Sequence, residues 1–449
     1  MARVAGGPLP LPALPRLPFP GPLRGKCSAQ PESRAALGTL AWWVLVSEFA
    51  LAVIRKGMVS SSCGRRGLCG AYVIFGLLLL GVFAGCGDDG EGSRSAYPRD
   101  RELRLNHFQV IGTHNSYHIE PRPELMDYLL RRLGSLAEGF QYSHVPLAEQ
   151  FERQGVRQIE LDVFADPQGG LFAHRAGLAL IRQNPDAGIP ELEQPGFKVL
   201  HVQDIDFEST CWTLVQCLTE VKRWSDANPR HMPLMILLEA KDEWIPVAGS
   251  AVPIPIGEAE LDALDEEIRS VFPPERLITP DDVRRDRATL RDAVQNVGWP
   301  TLADTRGKVM FCLDNGGAVR AAYLAQHPLL RGRVMFVSGG PDEDVAAFWK
   351  LNDSIADFDT IRDAVARGFV VRTRADADTV EARSGSTERR DHALASGAQW
   401  VSTDYPVPDT RWGHGYVAKI PGGMPARCNP VSAPADCQPG DIEHPLFLR

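Results

Sequence analysis

The sequence predicts an α/β protein built on a single TIM (β/α)8 barrel. Between residues 105 and 410, short apolar runs rich in β-branched residues alternate with longer segments of mixed polarity. This alternation is typical of a parallel sheet whose strands are joined by helices. Eight such units over roughly 300 residues match the size of the barrel. An open doubly wound sheet is the alternative, but no glycine-rich dinucleotide turn follows the first run.

The predicted strands are short and apolar, and segments of helical length separate them. They are FQVIG (108–112), RQIELDVF (157–164), KVLHV (198–202), LMILLE (234–239), KVMFCLD (308–314), RVMFVS (333–338), FVVRT (369–373) and WVSTDY (400–405). Residues 213–229 and 258–272 repeat apolar side chains at helical spacing, which predicts amphipathic helices between strands.

Composition and charge exclude one class of partner. The formal net charge is -9, so there is no basic field to attract nucleic acid. With 44% hydrophobic and 23% charged residues, the chain has the composition of an ordinary soluble globular protein. We expect a monomer without a nucleic-acid partner.

The first hundred residues predict targeting rather than fold. Residues 1–57 are expected to be a disordered or wrongly assigned extension, and residues 58–85 have the charged and apolar regions of a signal peptide. The signal ends in Phe-Ala-Gly-Cys, similar to the lipobox of bacterial lipoproteins, which predicts lipidation of Cys86 and a flexible tether over 86–104. A plain cleaved signal or an uncleaved anchor is the alternative. We therefore expect an exported protein, held by lipid on a bacterial membrane and facing the periplasm or the exterior.

Two close cysteine pairs predict disulfides. They are Cys211 with Cys217 and Cys428 with Cys437, and an exported protein folds where disulfides form. A zinc site is the competing interpretation, but neither pair has CxxC spacing. The second pair lies in residues 411–449, which are rich in Pro and Gly. We expect these residues to form an ordered C-terminal tail that crosses the barrel and is held by the disulfide.

Acidic side chains stand at predicted strand ends, where barrel enzymes place their active sites. In the second run, Glu160 and Asp162 alternate with apolar residues, so both carboxylates point into the barrel. Glu239 ends the fourth run, and Lys241 follows on the same face, where it can bind an anionic group of a substrate or neutralise Glu239. Buried like charges need a cation or a proton, and calcium or magnesium suits carboxylate oxygens. Pairing of one acid with an Arg or Lys from a neighbouring strand is the alternative.

Imidazoles and guanidinium groups complete the predicted site. His114 follows the first run and His201 ends the third, and imidazoles suit proton transfer near neutral pH. His174 lies between the acidic strand and His201. Arg372 and Arg374 alternate in the seventh run, where they can grip phosphate or inositol, or form salt bridges inside the barrel. No G-x-S-x-G nucleophile elbow occurs, which disfavours a serine esterase.

Taken together, these motifs resemble the phosphatidylinositol-specific phospholipase C superfamily, and most closely its secreted bacterial calcium-dependent members. The resemblance covers about residues 105–435 and depends on the combination of motifs rather than on any one of them. The segments that carry it are GTHNSY (112–117), IELDVF (159–164), KVLHVQDIDFEST (198–210) and LLEAK (237–241).

The resemblance implies a TIM barrel, one calcium ion and a phospholipid substrate at a membrane surface. It implies that the inositol 2-hydroxyl attacks phosphorus, which releases diacylglycerol and a cyclic inositol phosphate. By position, His114 would stabilise the transition state and His201 would protonate the leaving oxygen, while an acidic calcium ligand would help to deprotonate the hydroxyl. In eukaryotic relatives the second histidine follows the acidic strand closely, which makes His174 the alternative to His201. The calcium ligands implied by position are Asn115, Glu160, Asp162 and Glu239.

Two other functions stay open at this point. A glycerophosphodiester phosphodiesterase or sphingomyelinase D-like enzyme also places His and Glu-x-Asp at its first two strands. The His114–Asn115 pair together with Glu239 favours phospholipase C over that rival. A non-catalytic lipid-binding lipoprotein on a decayed barrel is the third interpretation, and the intact acids and histidines argue against decay.

Overall fold

A computed structural model of the protein describes residues 96–186 and 188–449. The predicted extension (1–57), the predicted signal peptide (58–85) and the predicted lipidation site Cys86 lie outside the described residues. In the part of the chain that the structure describes, no helix combines the length and the apolar character needed to cross a membrane.

A single sheet contains all eleven strands found in the described residues. The strands are β1 (Phe108–Thr113), β2 (Gln158–Phe164), β3 (Lys198–Val199), β4 (Leu234–Ala240), β5 (Leu277–Ile278), β6 (Val309–Leu313), β7 (Met335–Val337), β8 (Phe348–Asp353), β9 (Val370–Arg374), β10 (Trp400–Thr403) and β11 (Ala426–Cys428). Their apolar, β-branched composition favours this extended, pleated conformation.

Eight of the described strands run parallel and close into a barrel. The neighbours follow the order β6, β4, β2, β1, β10, β9 and β8, and β7 pairs with the other side of β6. A parallel bridge between Ser338 and Phe348 joins the end of β7 to β8. The Gly339 N–H donates to the Phe348 carbonyl at 3.0 Å beside this bridge. The predicted (β/α)8 fold is confirmed.

Two strand predictions need correction. The run predicted as the third strand, 198–202, forms only the two-residue β3, which pairs antiparallel with β2 and lies outside the barrel. The third barrel strand is therefore β4. The sixth is β8, which the sequence analysis missed because its second half does not alternate: Asn352 and Asp353 are both polar and exposed.

Helices cover the outside of the barrel, and the two predicted from sequence are present. The helices are α1 (Pro123–Leu133), α2 (Ser135–Glu138), α3 (Leu147–Arg153), α4 (Gly177–Leu180), α5 (Leu214–Ala227), α6 (Glu258–Val271), α7 (Pro280–Arg284), α8 (Leu290–Asp292), α9 (Leu302–Thr305), α10 (Gly317–Leu324), α11 (Phe358–Ala366), α12 (Val380–Ser384), α13 (Glu388–Ser396) and α14 (Pro439–Ile442). The Thr213 hydroxyl caps α5 by accepting a hydrogen bond from the Gln216 N–H at 3.1 Å. Leu218 and Leu261 are fully buried on the inner faces of α5 and α6.

A glycine lets the carboxyl end of β1 approach the first residue of β2. Gly112 lies opposite Gln158 in the parallel register of these strands. A Cβ atom on Gly112 would stand 2.8 Å from the Cβ of Gln158, closer than such atoms come in folded proteins. The loop after β1, which carries the first predicted site residues, therefore starts beside β2.

The C-terminal residues are attached to the barrel by a strand, a disulfide and an ion pair. Strand β11 pairs antiparallel with β1, and Cys428 at its end is bonded to Cys437. Glu443 accepts a hydrogen bond from Arg157 Nε at 2.8 Å, with both side chains buried. Both predicted disulfides are confirmed, since Cys211 and Cys217 are also bonded.

The predicted tether covers residues 86–104, and its described part, 96–104, packs on the barrel domain. Leu103 is fully buried, and the Asp100 carboxylate accepts hydrogen bonds from Arg306 at 2.6 and 2.7 Å. Because a buried leucine and a two-point ion pair fix this stretch, residues 97–103 belong to the folded domain rather than to a free linker.

Candidate active site

Three carboxylates predicted from the sequence come together inside the mouth of the barrel. Glu160, Asp162 and Glu239 each offer an oxygen within 4.8 Å of the others, and we call them the acidic cluster. The parallel register of β2 and β4 sets Asp162 directly beside Glu239. Glu160 and Asp162 are buried, whereas the Glu239 side chain is 31% exposed toward the mouth. The alternation in β2 does point both of its acids inward.

Two cationic side chains contact the acidic cluster. Arg372, on β9 across the barrel, donates a hydrogen bond to Glu160. Lys241 Nζ lies 3.2 Å from Asp162 Oδ2 and 3.7 Å from Glu239 Oε2. The acids therefore do pair with Arg and Lys, which was the alternative to metal binding. Among these described residues, however, two cations face three carboxylates, so one negative charge is left without a partner. Arg372 is fully buried in this pairing, so its predicted contact with substrate stays a prediction.

The two cations do not offset the burial of the carboxylates. Burial raises the pKa of Glu160 to about 7, although Arg372 opposes the shift. Burial also raises the pKa of Asp162 well above its ordinary value, against the effect of Lys241. Burial alone would lower the pKa of Lys241, but Glu239 and Asp162 outweigh it and raise that pKa. The cluster is thus poorly stabilised when fully ionised, and a further positive charge would stabilise it.

Buried oxygens without hydrogen-bond partners mark a place for that charge. Asn115 is buried at φ 41°, and among the described residues neither atom of its amide group has a hydrogen-bond partner. Asp162 Oδ1 also lacks a partner within the described chain. The Ser116 N–H donates to the Glu160 carbonyl at 2.9 Å, so the Asn115 loop adjoins β2. Oxygen donors left unsatisfied in this way fit a hard divalent cation such as calcium.

His114 faces the acidic cluster in a fixed orientation. Its Nδ1 lies 2.8 Å from Asp404 Oδ1, and its Nε2 lies 3.9 Å from Glu160 Oε1. A carboxylate only accepts, so Nδ1 carries the hydrogen and the neutral ring has its lone pair on Nε2. Burial first, and then Arg374 and Arg372, hold the pKa of His114 well below its ordinary value. The ring is therefore neutral in the resting protein, with an Nε2 lone pair that faces the acidic cluster.

Asp404 was not singled out from the sequence, although a signal for it was present. It directly follows β10, and polar groups at barrel strand ends are the signal that selected His114. Besides His114, Asp404 binds Arg374 Nη2 at 3.1 Å. Arg374 Nη1 in turn lies 3.4 Å from His114 Nε2. Arg374 therefore lies beside Nε2 of His114, and its predicted contact with substrate stays a prediction.

The structure brings His201 to the site and leaves His174 outside it. His201 Nδ1 lies 2.6 Å from Asp206 Oδ2, and His201 is close enough to His114 to help lower the pKa of that ring. His174 is 53% exposed and lies 2.7 Å from Asp186. The reason given for His201 was wrong, however, because it lies in the loop after β3 and not at the end of a barrel strand.

Comparison with known proteins identifies the family. A family profile described as "Phosphoinositide phospholipase C, Ca2+-dependent" matches residues 103–430. Among solved structures, the chain is similar to a calcium-dependent phosphoinositol-specific phospholipase C from Pseudomonas sp., with 18% identity, a TM-score of 0.46 and coverage of 75% of this chain and 99% of that one. It is also similar to a Ca2+-dependent phosphatidylinositol-specific phospholipase C from Streptomyces antibioticus, with 17% identity, a TM-score of 0.42 and coverage of 68% and 95%.

The comparison with curated proteins gives no match. The family profile nevertheless spans most of the chain. It includes every residue of the acidic cluster, as well as His114 and His201. The protein therefore belongs to the Ca2+-dependent phosphoinositide phospholipase C family and is a calcium-dependent phosphodiesterase.

Proposed function

We propose that the protein cleaves phosphatidylinositol to diacylglycerol and a cyclic inositol phosphate, with His114 and His201 as base and acid. One observation carries the proposal: two imidazoles, each held through Nδ1 by a buried carboxylate, adjoin an acidic cluster at the barrel mouth. Fixed imidazoles of this kind favour proton transfer to and from a bound substrate. Binding of a lipid without cleavage requires no proton transfer, so it does not require imidazoles held in this way.

The acidic cluster and a neighbouring amide would hold the calcium ion of the family. The proposed ligands are Asn115, Glu160, Asp162 and Glu239. Calcium bound there supplies positive charge that stabilises negative charge on phosphoryl oxygens. Lys241 and Arg372 already neutralise part of the cluster, so binding adds charge to a site that is organised without it.

His114 and His201 divide the two proton transfers between them. Neutral His114 accepts the proton of the inositol 2-hydroxyl through Nε2 as that oxygen bonds to phosphorus. His201 donates a proton to the glycerol oxygen as the bond between that oxygen and phosphorus breaks. The resemblance implies transition-state stabilisation by His114; in this proposal Arg374, 3.4 Å from His114 Nε2, contributes that positive charge.

Phosphorus NMR of the products tests the proposed reaction. The protein is incubated with vesicles of phosphatidylinositol, with calcium or with a calcium chelator. We expect a cyclic inositol phosphate signal that appears only with calcium, and no turnover of phosphatidylcholine vesicles. Release of glycerophosphate or phosphatidate would favour the rival phosphodiesterase reaction instead. His114→Ala should abolish turnover while calcium binding persists, and unchanged turnover would contradict the proposed site.

We also propose that the barrel mouth meets the membrane surface directly. Six of the nine large apolar side chains exposed in the described chain lie on connections that follow the carboxyl ends of barrel strands. They are Ile119, Trp244, Val252, Ile355 and Val407 on loops, and Val380 at the start of α12. Since all of these connections begin on the same side of the barrel, the apolar side chains surround the entrance to the site. Such a ring favours contact with lipid around the bound headgroup.

Vesicle sedimentation tests the role of this apolar ring. Trp244 is 46% exposed, and Trp244→Ala should weaken binding to phosphatidylinositol vesicles by about tenfold, because less apolar surface enters the lipid. Leu446→Ser is the matched control: Leu446 is 82% exposed but lies on the C-terminal segment near Arg230, which precedes β4. Equal losses in the two variants would contradict the proposed orientation.

Export and lipid attachment at Cys86 are proposed from the sequence pattern alone. Mass spectrometry of the mature N-terminus tests both. We expect a chain that begins at Cys86 and carries acyl groups. A mature chain that begins elsewhere, or an unmodified Cys86, would contradict lipid anchoring.

A further inference from the structure

A second buried imidazole shares the carboxylate that holds His201. Asp206 Oδ2 lies 2.6 Å from His201 Nδ1, and Asp206 Oδ1 lies 2.8 Å from His118 Nε2. Asp206 and His118 are fully buried, whereas the His201 side chain is 21% exposed. His118 follows β1, and no sequence pattern pointed to a role for it. Its side chain bonds to the site through Asp206, its ring lies edge-on to the His201 ring with centroids 5.8 Å apart, and its backbone N–H donates to the Asn115 carbonyl at 2.8 Å.

The two partners of the His118 ring are both acceptors. Its Nδ1 lies 3.1 Å from the Tyr142 carbonyl oxygen, and its Nε2 contacts both Asp206 oxygens at 2.8 and 3.0 Å. A carbonyl and a carboxylate cannot donate a hydrogen. Each contact is therefore a hydrogen bond only if the ring nitrogen carries a hydrogen. The arrangement requires a doubly protonated ring, an imidazolium ion, within the described core.

The surroundings of His118 hold the ring in place. The Tyr142 ring stacks on it, with centroids 4.3 Å apart and planes 27° from parallel. The backbone of His118 forms an antiparallel bridge with Ser209, three residues after Asp206. The groups that face His118 and can carry charge are Asp206, His201, Tyr142, His144 and Asp404. Asp206 makes the direct ion pair.

A tight turn brings Asp206 back to His201. Val202 and Asp206 exchange backbone hydrogen bonds, both at 2.9 Å, and Asp204 between them has φ 71°. Burial alone would raise the pKa of Asp206, but His118 and His201 outweigh it and lower that pKa to about 2. The carboxylate thus stays ionised deep in the protein, where an unpaired charge would be expensive.

We propose that His118 is a positioning residue, a buried imidazolium that keeps Asp206 ionised and oriented so that Asp206 holds His201 with Nε2 toward the mouth. The part played by His201 rests on the proposed function, whereas the protonation state of His118 does not. His118 touches no substrate in this account. Loss of its side chain should therefore act chiefly through Asp206, the one residue that bonds to both His118 and His201.

Nitrogen NMR of the resting protein tests the protonation state directly. The full protein, labelled at its histidine nitrogens, is measured near neutral pH without calcium or substrate. We expect both His118 nitrogens to show protonated shifts. His231 is the internal control: its nitrogens face the Ser225 hydroxyl and the Met232 carbonyl, and burial lowers its pKa to about 4, so one nitrogen should be bare. A bare nitrogen on His118 would overturn the proposal.

A double-mutant cycle tests the positioning role. His118→Gln should lower kcat for phosphatidylinositol by about tenfold to a hundredfold and leave KM almost unchanged, as the loss of a group that orients a functional side chain does. In an Asp206→Asn background, His118→Gln should have little further effect. An equal loss of kcat in both backgrounds would overturn the proposed route through Asp206. If the variants do not fold, or the wild type does not cleave the lipid, the NMR measurement still decides the protonation state.

Discussion

Two sets of carboxylates meet at the barrel mouth, and they differ in how completely they are partnered. Asp404 and Asp206 each accept a hydrogen bond from an imidazole Nδ1, at 2.8 and 2.6 Å, and each has a second basic partner. We call these two the orienting carboxylates. In the acidic cluster, by contrast, Asp162 Oδ1 has no partner among the described residues, and Lys241 is shared between two acids.

The difference separates side chains that position others from side chains that wait for a ligand. A satisfied buried carboxylate is rigid, and that rigidity fixes the ring it holds. In an incompletely satisfied cluster, repulsion between the carboxylates is only partly offset. A bound cation lowers that electrostatic free energy. Removing members of each set in turn tests whether this division of labour is real.

The largest expected effect comes from the acidic cluster. Asp162→Asn should lower turnover of phosphatidylinositol by roughly 10³-fold or more at fixed calcium, because metal-assisted stabilisation of a phosphoryl group contributes several kcal/mol. Initial rates over a range of calcium concentrations measure the loss. A variant that keeps wild-type rates at the same calcium concentration would break the comparison, since an acid of the cluster would then have no role in turnover.

Stability should distinguish the two orienting carboxylates from each other. Asp404→Asn leaves the Arg374 guanidinium without its carboxylate and should lower the free energy of unfolding by about 3–5 kcal/mol. Asp206→Asn should cost less, about 1–3 kcal/mol, because its partners are imidazole rings, which can be neutral, whereas a guanidinium cannot. Urea unfolding measures both, and equal deficits would contradict the account.

Much of the site was predictable because its signals are local. Alternation over Gln158–Phe164 is enough to place Glu160 and Asp162 on one face, and the end of β4 gives Glu239. The ion pair between Arg372 and Glu160 was not predictable, since 212 residues separate them and only closure of the barrel brings them together. Periodicity describes one strand at a time and carries no information on partners across the barrel.

The loop side of the site was predicted less well for a related reason. The apolar run at 198–202 is typical of a strand, yet it adds only β3 beside β2, and the chain then turns to bring Asp206 to His201. The long segment between β2 and β4 folds by its own tertiary contacts, among them the Cys211–Cys217 disulfide. Strand-end reasoning therefore selected an imidazole that lies at the barrel mouth, but for a geometric reason that the structure contradicts.

The catalytic effect of the orienting carboxylates should be intermediate. Asp404→Asn and Asp206→Asn should each lower kcat by about tenfold to a hundredfold, because an amide no longer enforces the correct orientation and tautomer of the ring. Calcium affinity should not change, since neither residue belongs to the acidic cluster. Steady-state kinetics at saturating calcium measure kcat. If the rate of either variant no longer depended on calcium, the orienting carboxylates and the acidic cluster would not have separate roles.

The smallest expected effect concerns Lys241. Its Nζ lies between Asp162 and Glu239 and competes for the oxygens that a metal would use. Lys241→Met should therefore tighten calcium binding by about tenfold, or about 1.4 kcal/mol. Titration calorimetry measures the affinity. Weaker binding in this variant would indicate that Lys241 supports the metal site rather than opposing it.

Calcium titration of three proteins tests the central claim most directly. Calorimetry of the wild type, Asp162→Asn and Asp404→Asn is done without substrate, so it does not depend on turnover. The account predicts one calcium per wild-type chain, binding weakened by at least about tenfold in Asp162→Asn, and unchanged binding in Asp404→Asn. Wild-type affinity in Asp162→Asn would contradict a calcium site in the acidic cluster.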